Sequence, residues 1–387
     1  MNNTNNIKIF IIAGEASGDN LGSKLMKSLI AKNPSIKFYG IGGNKMTAQG
    51  LDSIFPMNEL SIMGFSEILP YIPKFLFRIY QTISAIKKIR PNLIVTIDSP
   101  GFNFRIAKKI KKFGIKLVHY VAPTVWAYKP ERAKKIAAIY DYLLVLLPWE
   151  ANYFSREGLT TYFIGHPIIE DYTTINNSDF RTKYNISDEQ KIICLLPGSR
   201  KKEIERLLPI FKEAVSILSK DLKNLVIAIP TLPHLQDLVK IYMSDSSIKT
   251  IITINEIERR EAIFASDAAI VKSGTVTFDV AMAKIPMIVA YKVSPLSAYI
   301  IRKLIKTPYV NLINIINKKE VIPEYLQEKC TPEILAEGLY KLLCDQNIKA
   351  AQFKATEKAF RELGYGLSPT PSEKATDIII KILGSQI

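Results

Sequence analysis

Lys191-Ile192-Ile193-Cys194-Leu195-Leu196-Pro197-Gly198-Ser199-Arg200 is the stretch that decides the fold. Residues 191–196 read as a buried strand, Pro197 and Gly198 break it, and a helix pattern follows over 201–208. A continuous apolar run of strand length, closed by turn residues, suits a parallel sheet covered on both faces. Strand, glycine turn and helix start also aim free backbone N–H groups at one point, where an anion fits. Arg200 adds a planar, permanently charged fork matched to phosphate oxygens. The same Gly and Ser serve equally to turn the chain and cap a helix, and the stretch alone leaves both readings open.

The arrangement returns downstream. Residues 266–271 lead into Lys272-Ser273-Gly274-Thr275 and then a helix pattern that carries Asp279. Two such turns in one half of a chain form two lips for a nucleotide diphosphate, with Gly198, Ser199, Arg200, Ser273, Gly274 and Thr275 as its candidate ligands. Asp279 is spaced to accept hydrogen bonds from ribose hydroxyls; it equally suits the positive end of a helix. No DxD, HExxH or Cys/His cluster occurs. Helix N-termini and Arg200 are therefore expected to neutralise the diphosphate, with no metal and no cofactor.

Outward from these turns the whole chain alternates. Strand patterns at 7–13, 36–40, 92–98, 115–121, 142–147 and 162–164 are separated by helix patterns. Residues 170–188 are polar and make the linker candidate. Strands recur at 191–196, 225–229, 250–254, 268–271 and 287–290, and the chain from 331 onward is helical. The expectation is an α/β chain of two Rossmann-like, doubly wound domains facing a cleft, residues 1–170 and 171–387, with a helical C-terminal tail. A length of 387 residues suits two cores. Ligands of such sheets bind beyond the carboxyl ends of strands.

Those strand ends hold the candidate chemistry. Asp98 closes the strand at 92–98, where a carboxylate can take a proton from an attacking hydroxyl; capping the next helix is the alternative. Glu15, in Gly14-Glu15-Ala16-Ser17-Gly18-Asp19, presents the same choice. His166 can donate to a phosphate or sugar, or orient the crossover near the linker. His119, inside an apolar strand, reads as a core histidine.

The formal net charge is +16, from 52 Lys and Arg against 36 Asp and Glu, which favours an anionic partner. Basic residues gather at 105–116, at 129–135 and at Arg302, Lys303 and Lys306. No nucleic-acid motif accompanies them, so a basic face toward a membrane is expected and nucleic acid is not. The three cysteines show no metal spacing and read as reduced packing residues. No secretory signal is legible at the N-terminus, and the cytoplasm is the expectation. Residues 60–80 are greasy, but Glu67, Lys74, Arg78, Pro70 and Pro73 argue against a membrane span. Phe65, Ile68, Leu69, Ile72, Phe75 and Leu76 either fill a core helix or form a rim for acyl chains or bilayer.

These residues also carry a resemblance. Gly14-Glu15-Ala16-Ser17-Gly18-Asp19, Met63-Gly64-Phe65-Ser66-Glu67, Ile97-Asp98-Ser99-Pro100, His119-Tyr120-Val121-Ala122-Pro123, Val125-Trp126-Ala127, Phe163-Ile164-Gly165-His166-Pro167, Leu196-Pro197-Gly198-Ser199-Arg200, Ser273-Gly274-Thr275, Lys306-Thr307-Pro308-Tyr309-Val310 and Pro323-Glu324 occur in that order. The ordered set resembles the lipid-A-disaccharide synthases over nearly the whole chain. The resemblance implies an inverting GT-B glycosyltransferase with UDP-2,3-diacylglucosamine as donor and 2,3-diacylglucosamine 1-phosphate as acceptor. It implies Asp98 as general base, with Glu15, Ser17, Asp19 and His166 on the acceptor side. Arg200 and the Ser273-Gly274-Thr275 turn would hold the diphosphate, Asp279 the ribose, and Asn314 would lie near the donor. Peripheral attachment to the cytoplasmic face of the inner membrane is implied too, which favours the lipid-facing reading of 60–80. Three positions depart from the family pattern: Asp279 where Glu is usual, Gly101 in place of a second acidic residue, and Ile313 in place of proline.

Overall fold

A computed structural model describes residues 7–60, 72–170, 177–274, 276–295, 298–299, 307–366 and 368–384. The chain divides into two compact units, Met1–Glu170 with Glu362–Ile387, and Asp171–Arg361.

The first unit is built on β1 (Lys8–Ala13), β2 (Lys37–Ile41), β3 (Asp52–Ser53), β4 (Leu93–Ile97), β5 (Lys116–Tyr120), β6 (Tyr142–Val145) and β7 (Thr160–Phe163). Its helices are α1 (Ala16–Lys32), α2 (Asn44–Thr47), α3 (Ile72–Ile89), α4 (Pro100–Ile110), α5 (Arg132–Ala137) and α6 (Glu150–Ser155). The strands form one sheet in the order β3-β2-β1-β4-β5-β6-β7, and its ladders are parallel. Period-two alternation divides each strand between two cores. Ile9, Ile11, Val95, Ile97 and Val118 pack with Leu25, Met26 and Leu29 of α1 on one face. Phe10, Ile12, Ile94, Leu117 and Leu143 pack with Ile79 and Ile86 of α3 and Phe102 and Ile106 of α4 on the other. Burial on both faces is what made these strands legible as apolar runs.

The second unit repeats the plan. It comprises α7 (Asn177–Lys183), β8 (Lys191–Leu196), α8 (Lys201–Asp221), β9 (Leu225–Pro230), α9 (Gln236–Met243), β10 (Lys249–Thr253), α10 (Glu256–Phe264), β11 (Ala268–Lys272), α11 (Val276–Met282), β12 (Met287–Tyr291) and β13 (Glu324–Leu326). The sheet runs β10-β9-β8-β11-β12-β13, again parallel. Ile193, Leu195, Ile227 and Ile270 pack on Ile204, Leu207, Phe211 and Val215 of α8. On the other face Ile192, Val226 and Ala228 meet Phe180 and Ala262.

The structure departs from the sequence expectation at several points. The short edge strands β3 and β13 were not expected, because Asp52-Ser53 and Glu324-Tyr325-Leu326 make no apolar run. Pro73 does not break α3; it lies in the first turn, where no intrahelical bond from its nitrogen is needed. Helix α4 starts directly after Ser99, with Pro100 in its first turn. The largest difference concerns the end of the chain. Helix Pro371–Gly384, expected with the second half, returns to the first unit and packs Ala375, Ile379, Ile382 and Leu383 into the core under α1. Glu170 secures it, accepting from the Ser372 N–H at 2.6 Å and the Ser372 hydroxyl at 2.7 Å. An apolar helix face seeks a matching core, and chain proximity does not say which core that is.

Ile379 is fully buried. Ile379→Ala should therefore destabilise the first unit by about 2–4 kcal/mol through lost transfer energy and a residual cavity. Thermal denaturation checks this; an unchanged melting temperature would mean that the helix does not pack there.

Candidate functional site

In the first unit β1 and β4 are neighbours, and Ala13 pairs with Ile97. Both strands end at the same edge, so Glu15 and Asp98 emerge side by side. Their loops touch: a Cβ on Gly14 would collide with the Ser99 side chain. Asp98 and Ser99 both take left-handed backbone, with φ of 46° and 44°. Such non-glycine conformations cost roughly 1–3 kcal/mol each and persist only where the surroundings enforce them. The enforcing group is the buried Asn103 amide, which donates to the carbonyls of Ile97 (3.1 Å) and Asp98 (2.8 Å), while the Asp98 N–H reaches the Tyr120 carbonyl at 3.0 Å. Ser99 is the N-cap residue of α4, and Glu15 precedes α1 without a side-chain cap bond. Neither carboxylate is spent on capping its helix. Burial, and then the charge of Glu15, push the Asp98 carboxyl above its ordinary range against the Ser99 N–H it accepts. A half-buried carboxylate with raised proton affinity can act as a general base toward a hydroxyl.

In the second unit the loops after β8, β9 and β11, together with α10, surround a cavity of about 340 Å³. Leu196 of β8 pairs with Val271 of β11, so the two glycine turns leave adjacent strands. Gly198, Ser199, Gly274 and Asp279 all line the cavity. Arg200 stands at the N-cap of α8. The first turn already holds an anion, and it is the chain's own: Glu203 accepts from the Ser199 N–H at 3.0 Å, with Lys272 Nζ 3.3 Å away. Gly198, at φ 128°, is glycine because a Cβ there would strike the Glu203 carboxylate. Across the cavity, Thr231 Oγ1 and Arg259 Nε are buried without a hydrogen-bond partner. A ligand edge rich in acceptors would satisfy both.

Other expected site residues have structural work. Asn314 is wholly buried and saturated: its amide donates to Ile322 O and Glu324 Oε1 and its oxygen accepts from the N–H groups of Val321 and Ile322, all between 2.7 and 2.9 Å. Two donors and two lone pairs are all an asparagine side chain has, so none remains for a donor sugar. Asp19 is likewise taken; it holds the start of α2 by accepting from the N–H groups of Gly43, Lys45 and Met46. The Ser273 hydroxyl donates to Val310 O at 3.1 Å. His166 accepts the Ile168 N–H on Nδ1, and burial followed by the Lys24 charge lowers its pKa to about 4, so the ring is neutral at physiological pH. His119 is a core residue against Tyr140 and Thr96. Ser17 is exposed in the first turn of α1. Thr275, Phe65, Ile68 and Leu69 lie outside the described residues. Phe75 packs edge-on against Phe102, whereas Ile72 and Leu76 are exposed at 42% and 55%.

Sequence reasoning also missed Glu150. It is buried after β6, accepts from Leu147 N–H and Trp126 Nε1–H, and is pushed up to about 7, mainly by burial. Nothing in its local sequence marks it, because Trp126 comes from the loop of the neighbouring strand.

The lipid-A-disaccharide synthetase family model matches residues 9–379. The lipid-A-disaccharide synthase of Gluconobacter oxydans is 40% identical, covering 98% of this chain and 91% of its own. That of Paramagnetospirillum magneticum is 41% identical, over 97% of both chains. The chain belongs to the lipid-A-disaccharide synthase family. It is a glycosyltransferase of lipid A biosynthesis. Solved structures agree in fold: Staphylococcus aureus MnaA in complex with UDP (TM-score 0.63, 14% identity, 98% and 97% of the two chains) and Acinetobacter baumannii MurG (TM-score 0.56, 15% identity, 97% and 99%). At that identity they show the GT-B architecture alone. No helix among the described residues is long and apolar enough to cross a membrane.

Asn314→Ala should cost about 1–3 kcal/mol by stranding the buried Ile322 N–H and the half-buried Val321 N–H, while the folded protein keeps its UDP affinity; calorimetry and ligand titration read the two, and weakened UDP binding without loss of stability would reinstate a donor contact. Glu15→Gln removes the charge that helps to raise Asp98. The acidic limb of activity against pH should therefore move to lower pH, and an unmoved limb would assign it to another group.

Proposed function

We propose that this enzyme joins UDP-2,3-diacylglucosamine to 2,3-diacylglucosamine 1-phosphate, forming the β-1,6-linked disaccharide 1-phosphate and UDP with inversion at the donor carbon. The observation that carries this reading is the family match from 9 to 379, which takes in both Asp98 and the Ser199 turn. Asp98 accepts the proton of the acceptor 6-hydroxyl as that oxygen attacks the anomeric carbon. The new C–O bond forms, the bond to the diphosphate breaks, and UDP departs with its charge. Glu15 keeps Asp98 basic enough for the transfer, in line with the raised Asp98 carboxyl.

The departing charge is met by the Ser199 N–H, Arg200, Lys272 and the N-terminus of α8, since groups already oriented toward developing charge are where such a site gains rate. Asp279, on the cavity wall, accepts from the ribose hydroxyls. No metal and no cofactor enters the scheme. The acyl chains and the membrane are met by α3, whose Ile72, Leu76, Phe77 and Tyr80 are exposed, Tyr80 at 71%. Exposed apolar residues on one amphipathic helix of a basic protein suit peripheral attachment to the anionic cytoplasmic face of the inner membrane. Nucleic acid has no part in this reading.

Purified enzyme given the two acylated sugars should yield the disaccharide 1-phosphate and UDP by mass spectrometry, and absence of that product would sink the assignment. Asp98→Asn should lower kcat by roughly 10²–10⁴ with UDP affinity unchanged; undiminished turnover would remove Asp98 from the base role.

A further inference from the structure

We propose that Glu203 is a resident counter-ion of the phosphate turn, a positioning residue that fills the anion subsite until the donor's diphosphate displaces it. The inference rests on the donor reading above and concerns the same cavity. Its first support is the turn itself. Ser199 N–H donates to Glu203 Oε2 at 3.0 Å, and the carboxylate lies so close over Gly198 that no side chain fits there. The turn is thus closed on an anion.

A second support comes from another strand. Lys272, at the end of β11, brings Nζ within 3.3 Å of Glu203 Oε1, and both side chains are largely withdrawn from water, at 19% and 16% exposed. The same ammonium stands 3.8 Å from where a Gly274 Cβ would be, and 5.4 Å from the centre of the Tyr291 ring. It therefore bridges the two glycine turns. Arg200, 77% exposed, makes a looser contact at 3.5 Å and is held by little else. Backbone N–H, ammonium and guanidinium beside a helix N-terminus are the set a diphosphate needs, and Glu203 engages the first three.

Glu203 is also the third residue of α8, where a glutamate commonly folds back to satisfy the first N–H groups of its own helix. That role explains the Ser199 bond but requires no partner on β11. It also needs only an acceptor oxygen, which glutamine retains. The charge is what competes with phosphate, because two anions cannot share these donors.

Glu203→Gln separates the two roles. Binding of inorganic pyrophosphate and of UDP, measured by titration calorimetry, should tighten about fivefold at low salt, with the gain shrinking as ionic strength rises. Uridine, which lacks phosphate, should bind as before. Pyrophosphate binding that is unchanged or weaker overturns the counter-ion role. Pyrophosphate that tightens while UDP is ignored by both proteins supports Glu203 and sinks the donor reading instead. Should the variant fail to fold, the unsubstituted protein still decides. Carbodiimide labelling of Glu203, read by mass spectrometry, should rise when pyrophosphate saturates the site. Labelling that stays level or falls would mean that the carboxylate is never displaced.

Discussion

The pairing of Ala13 with Ile97 in one sheet, and of Leu196 with Val271 in the other, constrains everything built at the strand ends. Parallel neighbours leave a sheet at the same edge and must return through a crossover, so their loops collect on that edge. This brings Glu15 beside Asp98 and the Ser199 turn beside Gly274. Covering both faces with helices removes water from beneath those loops. The desolvation that follows raises Asp98, and Asn103 holds the left-handed backbone that presents it.

Charge is managed differently in the two units. In the first, the exposed Glu15 is brought near Asp98, which is kept partly dry, and both effects favour a proton on Asp98. In the second, a cluster of cations and helix N–H groups would repel itself if left alone. Glu203 offsets that repulsion and keeps Lys272 and the Ser199 N–H aimed at one point. The glycine of the turn, which looks like a device for admitting phosphate, admits a side chain of the same chain.

Ordered motifs grouped residues that differ in task. Asp98 stands at a strand end with capacity left for a partner, and the Ser199 N–H stands at another, engaged only by the Glu203 carboxylate of its own turn. Asn314, Asp19 and His166 belong to motifs just as clear, yet their polar atoms hold loops together. A motif records that a residue type is needed at a position. Only the inventory of its hydrogen bonds says whether a ligand can still reach it.

The amino-acid sequence by itself determined the two parallel sheets and their crossovers, because strands buried on both faces must be written as unbroken apolar runs. It also determined the strand-end locations of Asp98, Gly198 and Gly274, which follow from where those runs stop. The tertiary structure alone decided that Glu203 meets Lys272, that Trp126 meets Glu150, and that the last helix joins the first core. Those pairings bind residues far apart in the chain, and their energy comes from contact geometry and desolvation, which no local pattern of residue types records.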